Sequence, residues 1–463
     1  MPDILPLLLL LSPALSKTSA RQLSRIVIGV LAMSGRITQR GISRWTQEGG
    51  SYRTVHRFFQ TEIDWLSVQW LFFCLFVYDP KGVYLLVGDE SVITKSGKAT
   101  YGLDRFFSSL LDKVVPGLGC FSLALVEVSK REAYSLSNEQ VIRTEQEKQE
   151  AKERKQQRGA GPRSSIKEAP PKPPKRPRGR PKGSKNQDKA QPVLSCEMLR
   201  IKAQAKKALA LIHKKMALSY FVLDGHFGNH LAVQMVRELD LHLITKMRSD
   251  AALYLVPSAF QKQMSPHRKY GDRLEFAKLP DALLRSCETK EGYETRVYQA
   301  LCRHKQFACL LNVVVLHRRH LGSGREGHVV LFSTDLFLGA ATLIDYYSLR
   351  FQIEFTFRDA KGHFGLEDFM GVKKTSVTNA MNLSLFMVNL SRHLLGSLRA
   401  HFPEAGIADL KSWYRGHFYA CALLKRLPDC PNAIVCQTLI EQICRLGFIH
   451  SNHQKAPEAQ MAA

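Results

Sequence analysis

The sequence is short of acid. Asp and Glu number 41 against 66 Lys and Arg, giving a formal net charge of +25. So basic a balance points to a polyanionic partner, usually nucleic acid. The chain also lacks any Cys-x-x-Cys pair, which argues against a zinc ribbon. Its 10 cysteines are scattered. The last four (421, 430, 436 and 444), taken with His450 and His453, match no common finger spacing and read as thiols carried on helices. Unpaired cysteines in a long chain suit a reducing compartment. Long hydrophobic runs are missing too. Trp70–Val77 is far too short to span a bilayer. Ile4–Leu11 has no positively charged segment before it and no small-residue cleavage site after it, so it is a poor signal peptide. These absences predict a soluble, cytoplasmic protein with no membrane partner.

What is present can build a large core. The chain has 463 residues, 45% of them hydrophobic, enough for two to four structural units. Residues 1–80 read as helical. Ser24–Met33 is apolar at helical spacing and Gly35 ends it. ITQRGISRW (37–45) and SYRTVHRFFQ (51–60) flank Gly49–Gly50. Ser51 is placed to cap the second helix, with Val55, Phe58 and Phe59 inward and Arg53 and Arg57 outward. Two short helices about a glycine turn suit a helix-turn-helix that reads DNA, with Arg53 and Arg57 on its outer face; an ordinary helical bundle has the same pattern.

The segment VYLLVGD (83–89) reads as a buried strand that carries Asp89 at its C-terminal end. Gly119–Val128 reads as another strand. The composition then changes. Residues 148–189 hold 15 Lys or Arg and 4 acids, a net of +11 that leaves +14 on the remainder. Proline is dense and apolar residues are nearly absent, so residues 145–193 are expected to form a disordered basic linker. Its core, Arg178-Gly179-Arg180-Pro181, resembles an AT-hook, in which arginines around a glycine enter the narrow minor groove of A·T DNA. A linker touching phosphates without preference is the plainer alternative.

Beyond the linker, Glu197–Met216 reads as a helix and SYFVLDGHFGN (219–229) as a buried strand ending at Asp224. A helix (230–239) and a strand (241–247) follow, and 248–335 is strand-rich. A long helix is expected from Ala340 past Lys361, and 378–450 again reads as helical. Carboxylates at strand ends can project into a shared cleft, and hard divalent cations such as Mg²⁺ take carboxylate oxygens. On the helix, Tyr347, Arg350, Glu354 and Lys361 are offset by 3, 7 and 14 residues, which returns each to within about 60° of the first. One face therefore offers a metal ligand between two cations able to grip phosphate. A solvated charged face is the alternative, although Ile353 and Phe357 flank the stripe.

The pattern Y-x2-R-x3-E-x6-K across these four residues resembles the signature helix of the DDE transposases of the IS4 superfamily. FSTDL (332–336), RFQIEFTFRDAKGHFGLEDF (350–369) and the Asp224 strand are also similar to that family, over roughly residues 20–400. The resemblance implies an α/β, RNase H-like catalytic core spanning 81–395, with a β-rich insertion at 248–335. Helical regions precede it and follow it at 396–463. It further implies that the first acid lies on the first strand, the second just after the fourth, and the glutamate on a later helix. Asp89, Asp224 and Glu354 would hold two Mg²⁺ or Mn²⁺ ions. Arg350 and Lys361 would hold DNA-end phosphates, with Tyr347 positioning them. The implied activity is cut-and-paste transposition on double-stranded DNA, by a homodimer holding two element ends, in the cytoplasm at the nucleoid.

Asp-Glu-Ser at 89–91 departs from the family's Asp-x-Thr, and Glu90 is a rival ligand whose strand position turns it to the other face. Relatives of that family that pass through a DNA hairpin can stack a flipped base on a tryptophan of the insertion; the four tryptophans here (45, 65, 70 and 413) lie outside it, and Tyr254, Phe260 or Tyr270 would be the substitutes. A domesticated DNA-binding protein without catalysis, or a nuclease without strand transfer, would share most of these features. His226 and His363, near the acids in sequence, read as structural.

Overall fold

The computed structural model describes residues 4–46, 50–108, 111–145, 147, 149, 153, 192–427 and 432–450. Arg178, Arg180 and the proline-rich heart of the basic linker lie outside these residues. Along the chain come helices α1 (Ile4–Leu9), α2 (Lys17–Ala32), α3 (Gln39–Trp45), α4 (Tyr52–Gln60) and α5 (Trp65–Phe76). Strands β1 (Tyr84–Thr94), β2 (Asp104–Ser108), β3 (Lys113–Glu127) and β4 (Glu132–Val141) follow. Helix α6 (Cys196–Ile212), β5 (Tyr220–Val222), α7 (His230–Arg237) and β6 (His242–Met247) come next. After them run β7 (Leu253–Leu255), α8 (Ala259–Met264), β8 (Leu284–Lys290), β9 (Tyr293–His304), β10 (Leu311–His320) and β11 (Glu326–Ser333). The chain closes with α9 (Ala340–Leu349), α10 (Phe351–His363), α11 (Lys374–Arg399), α12 (Ile407–Leu424) and α13 (Ala433–Arg445). The architecture is mixed α/β, as expected. No helix among the described residues is long and apolar enough to cross a membrane.

The described residues form two units, one within Met1–Gln140, Gln204–Asp224 and Ala341–Ala463, the other within Val141–Ala203 and Gly225–Ala340. In the first, β3 is flanked by β1 on one side, while β2 and β4 also pair with it. β1 runs antiparallel to β3 and parallel to β5. In the second unit the strand order is β6-β11-β10-β9-β7, with β8 also on β9. β6 pairs antiparallel with β11, Ile244 opposite Ser333 and Met247 opposite Val330. The β-rich body therefore takes in α7 and β6 and begins before residue 248.

Three expectations change. β1 continues to Thr94, so Asp89 sits in mid-strand; Val92 and Ile93 prolong the β-forming run past the acid. The short β2 makes β5 the fifth strand in chain order, one more than the resemblance implied. The expected long helix is two helices that meet at Arg350, whose amide reaches back to Tyr347 while its carbonyl accepts from Ile353, both three residues away. Three-residue bonds tighten the backbone and let the axis turn.

The spine of the first unit is α11. It is buried on almost every side through its middle, with Val377, Met381, Leu385, Phe386, Val388 and Leu390 enclosed by neighbouring elements. Polar residues on it are buried with partners. Asn379 accepts from the Trp65 indole at 2.9 Å and donates to the carbonyls of Phe59 and Thr61 at 3.1 and 2.8 Å. Asn389 mimics a strand edge: it accepts from Ser135 N at 3.0 Å and donates to Ser135 O and Gln69 Oε1, both at 2.8 Å. These contacts dock α4, α5 and β4 on the spine. On α4, Ser51 caps the helix, Val55, Phe58 and Phe59 are buried, and Arg53 and Arg57 are exposed.

Candidate active site

Val87 of β1 lies beside Val222 of β5 in the parallel register. Two residues further along each chain come Asp89 and Asp224. A strand repeats its side-chain direction every two residues, so this register brings the two acids level at one end of the β1–β5 pair. Gly88 permits the close approach there: a Cβ at that position would lie 2.7 Å from the Phe121 ring and 3.0 Å from Leu223. The backbone amide of Glu90 donates to Asp89 Oδ1 at 2.9 Å, which fixes the carboxylate, and the Glu90 side chain is exposed.

Glu354 reaches this acid pair through an arginine. Arg350, at the junction of α9 and α10, donates from Nη1 to Asp89 Oδ2 at 2.9 Å and from Nη2 to Glu354 Oε1 at 2.7 Å. Its side chain is 8% exposed, and its Nε is buried without a partner. Burial pushes the Asp89 carboxyl up to about 7; Arg350 pulls it down, while Asp224 and Glu354 push it further up. Burial opposes the Arg350 charge, but Asp89 and Glu354 hold the guanidinium above its ordinary value. Burial likewise raises the Tyr347 phenol, against the pull of neighbouring Arg350. Asp89, Asp224, Tyr347, Arg350 and Glu354 thus form one electrostatic cluster, within the first unit.

Lys361 lies farther along the same helix as Glu354. Its Nζ donates to Val92 O at 2.8 Å and lies 3.3 Å from Glu367 Oε1. Arg350 and Lys361, expected to face phosphate, are thus turned to protein oxygens here. Lys95, just past the end of β1, carried no signal in the sequence. Buried Lys95 donates to the carbonyls of Glu367 and Phe369 at 3.0 and 2.9 Å, tying the end of β1 to the loop after α10. Phe351 and Phe355 flank Glu354 and are 49% and 40% exposed. Helical periodicity alone would have picked out that pair, one turn apart.

The histidines lie elsewhere. His226 is 3.3 Å from Glu197, and the His363 carbonyl accepts from Lys411 at 2.9 Å. In the second unit Tyr254 and Tyr270 meet edge to face at 5.4 Å, and Phe260 is exposed. The nine described cysteines are free, with Cys430 and His453 outside the described residues.

The donor chemistry fits a divalent cation: Asp89, Asp224 and Glu354 present hard, acidic oxygens whose mutual repulsion a cation relieves. As they stand, no three His, Cys, Asp or Glu side chains among the described residues are gathered to hold an ion. Arg350 sits between two of the three carboxylates instead.

Residues 10–304 match the family described as DDE superfamily endonuclease. That span includes Asp89 and Asp224 and ends before the helix bearing Glu354. No curated protein matches the sequence. Among solved structures, the cryo-EM structure of the piggyBac transposase synaptic complex with hairpin DNA aligns with a TM-score of 0.38 and 10% identity, over 94% of this chain and 79% of that one.

Proposed function

This chain belongs to the DDE superfamily endonuclease family, and we propose that it is a DNA transposase whose catalytic acids are Asp89, Asp224 and Glu354. The observation that carries the reading is the register of β1 and β5, which sets Asp89 and Asp224 side by side, with Glu354 joined to Asp89 through Arg350. An acid on the first strand, a second just past a neighbouring parallel strand and a glutamate on a later helix support the RNase H-like core. The Y-x2-R-x3-E-x6-K pattern supports placement near the IS4 superfamily.

The reaction is two phosphodiester exchanges. Water attacks the phosphorus at the element's end, the 3′-oxygen leaves and gains a proton. That 3′-hydroxyl then attacks a target phosphorus, forming one P–O bond as another breaks. Mg²⁺ or Mn²⁺, two ions held by the three acids, would activate the attacking oxygen and stabilise the leaving one. The protein's own residues set the stage. Arg350 holds Asp89 and Glu354 close by pairing with both carboxylates. Its guanidinium is also of the kind suited to bidentate contact with phosphate. Exposed Arg53 and Arg57, together with the surplus positive charge, suit duplex DNA as the partner, held by a homodimer that brings two element ends together.

The test is Mg²⁺-dependent cleavage and joining of the element's own end, wild type beside Glu354→Gln. Cutting and joining by wild type, with DNA binding but neither step in the variant, supports the assignment. Equal DNA binding with no cleavage by either protein under any divalent metal would move the reading to a domesticated DNA-binding protein. Cleavage without joined product would move it to a nuclease.

A further inference from the structure

At the far end of α10 from Arg350, a cleft of about 420 Å³ opens between the ends of α2 and α10 and the start of α12. Two cations from α12 enter it one helical turn apart. Lys411 donates to His363 O, the last carbonyl of α10, at 2.9 Å. Arg415 donates from Nε to Ala32 O at 3.0 Å and from Nη2 to Met33 O at 3.3 Å, at the end of α2. Cations at helix C-termini are favourable in themselves, so capping explains why these side chains turn inward. It does not explain their pairing. Like charges four residues apart on a helix repel, and among the described residues neither lies within ion-pair distance of a carboxylate. Asp368, the acid lining the cleft, is engaged with Arg36 at 3.3 Å and the Ile37 amide at 2.9 Å. Burial first, and Arg415 second, lower the Lys411 ammonium to about 8, against the opposing pull of Asp368.

The geometry points to a binding site for a phosphate-type oxyanion in this cleft, held by Lys411 and Arg415. The remaining N–H groups of both cations, beyond those given to carbonyls, are the donors. A guanidinium supplies a planar fork and an ammonium a point charge, the pairing that phosphate oxygens accept best. An anion here compensates both cations while leaving the two helix caps intact. The mouth leaves room: a Cβ added at Gly35 or Gly362 would meet nothing within 4 Å, and Ser34 is exposed at the rim. The volume falls within the usual range for ligand sites.

The phosphate could be free or belong to nucleic acid; on the transposase reading it is a backbone phosphodiester. Gly362 follows Glu354 by eight residues, about 12 Å along the helix. Each strand of a duplex carries a phosphate per ~3.4 Å of axis, so DNA cut at Glu354 has one roughly three or four steps away within that reach.

The experiment uses the full chain, its Lys411→Met variant and its Ser34→Glu variant, which puts a negative charge at the mouth without touching either cap. Inorganic phosphate is titrated against chloride at matched ionic strength, followed by the unfolding midpoint and by ³¹P line width. Duplex DNA binding is then measured against salt. Phosphate should raise the midpoint of the wild type, and much less that of either variant. For backbone phosphodiester, the slope of log K against log salt should fall by about 0.9 in Lys411→Met. Phosphate binding with an unchanged slope assigns the cleft to a free anion and overturns the DNA source, leaving the transposase reading to its own cleavage test. No phosphate response in the wild type, or an equal response in Ser34→Glu, overturns the site.

Discussion

Replacing Asp89 with asparagine should make the protein more stable at alkaline pH in the presence of a chelator, although it removes a proposed catalytic acid. The reason lies in where the carboxyl titrates. Its ordinary value is 3.8, and burial pushes it to about 7 in the folded chain. The folded state therefore holds the proton more tightly than the unfolded state does. This contribution to stability is complete below about pH 4 and drains away as pH rises to about 7, where the folded carboxyl ionises. The gap corresponds to about 4 kcal/mol in total, at roughly 1.4 kcal/mol for each tenfold change in acidity. Asparagine has nearly the same shape and cannot ionise, so its stability curve should lack that slope. The attraction of Arg350 for the ionised carboxylate is already contained in the value of about 7, and an asparagine oxygen can still accept from Arg350, so the variant stands in for the protonated acid. The difference between the two proteins therefore isolates the effect. Unfolding midpoints measured from pH 4 to 8 in chelator should diverge steadily in the variant's favour, by several degrees overall. Adding Mg²⁺ at pH 8 should raise the wild type and leave the variant nearly unmoved. Parallel midpoint curves, or equal stabilisation of both proteins by Mg²⁺, would refute the reasoning.

Other changes test the scaffold and the proposed DNA surface. Asn379→Leu removes the acceptor for Trp65 and the donor to the Phe59 and Thr61 carbonyls; a loss of about 3 kcal/mol is expected in urea unfolding, since buried groups are left unpaired. Gly416→Ala places a Cβ 2.6 Å from Cys444 Cα and Ile443 O. The α12–α13 pair must then part, and protease should cut between residues 425 and 450 sooner. Arg53→Glu with Arg57→Glu should weaken duplex binding and flatten its salt dependence without moving the unfolding midpoint, because both side chains are exposed.

Much of this was legible in the sequence where the signal is local. The apolar run at 83–89, the strand before Asp224 and the helical stripe through Glu354 named the three acids. What sequence could not show is the meeting of distant parts. The β1–β5 register joins residues more than a hundred positions apart and leaves no periodic trace. The break at Arg350 has no proline or glycine to announce it; the guanidinium there is drawn to Asp89, and the backbone turns at that point. Periodicity placed Arg350 and Lys361 on one helix face but could not say what that face meets. Here it meets the acids and the edge of β1, so two cations read as phosphate ligands bond protein oxygens. The same blindness hid Lys411 and Arg415, whose isolated charges look like any solvated helix surface.

The spine helix α11 has a consequence for how the chain is made. Trp65 finds its partner at Asn379, 314 residues later. At ribosomal speeds of about 5–20 residues per second, that gap lasts roughly 15–60 s. Throughout it, Trp65 and Phe72, both buried against Phe386 of the spine in the finished molecule, have no spine to rest on. The N-terminal helices must wait on the ribosome with their apolar sides uncovered, and that interval is when a chaperone that recognises aromatic segments has its opportunity.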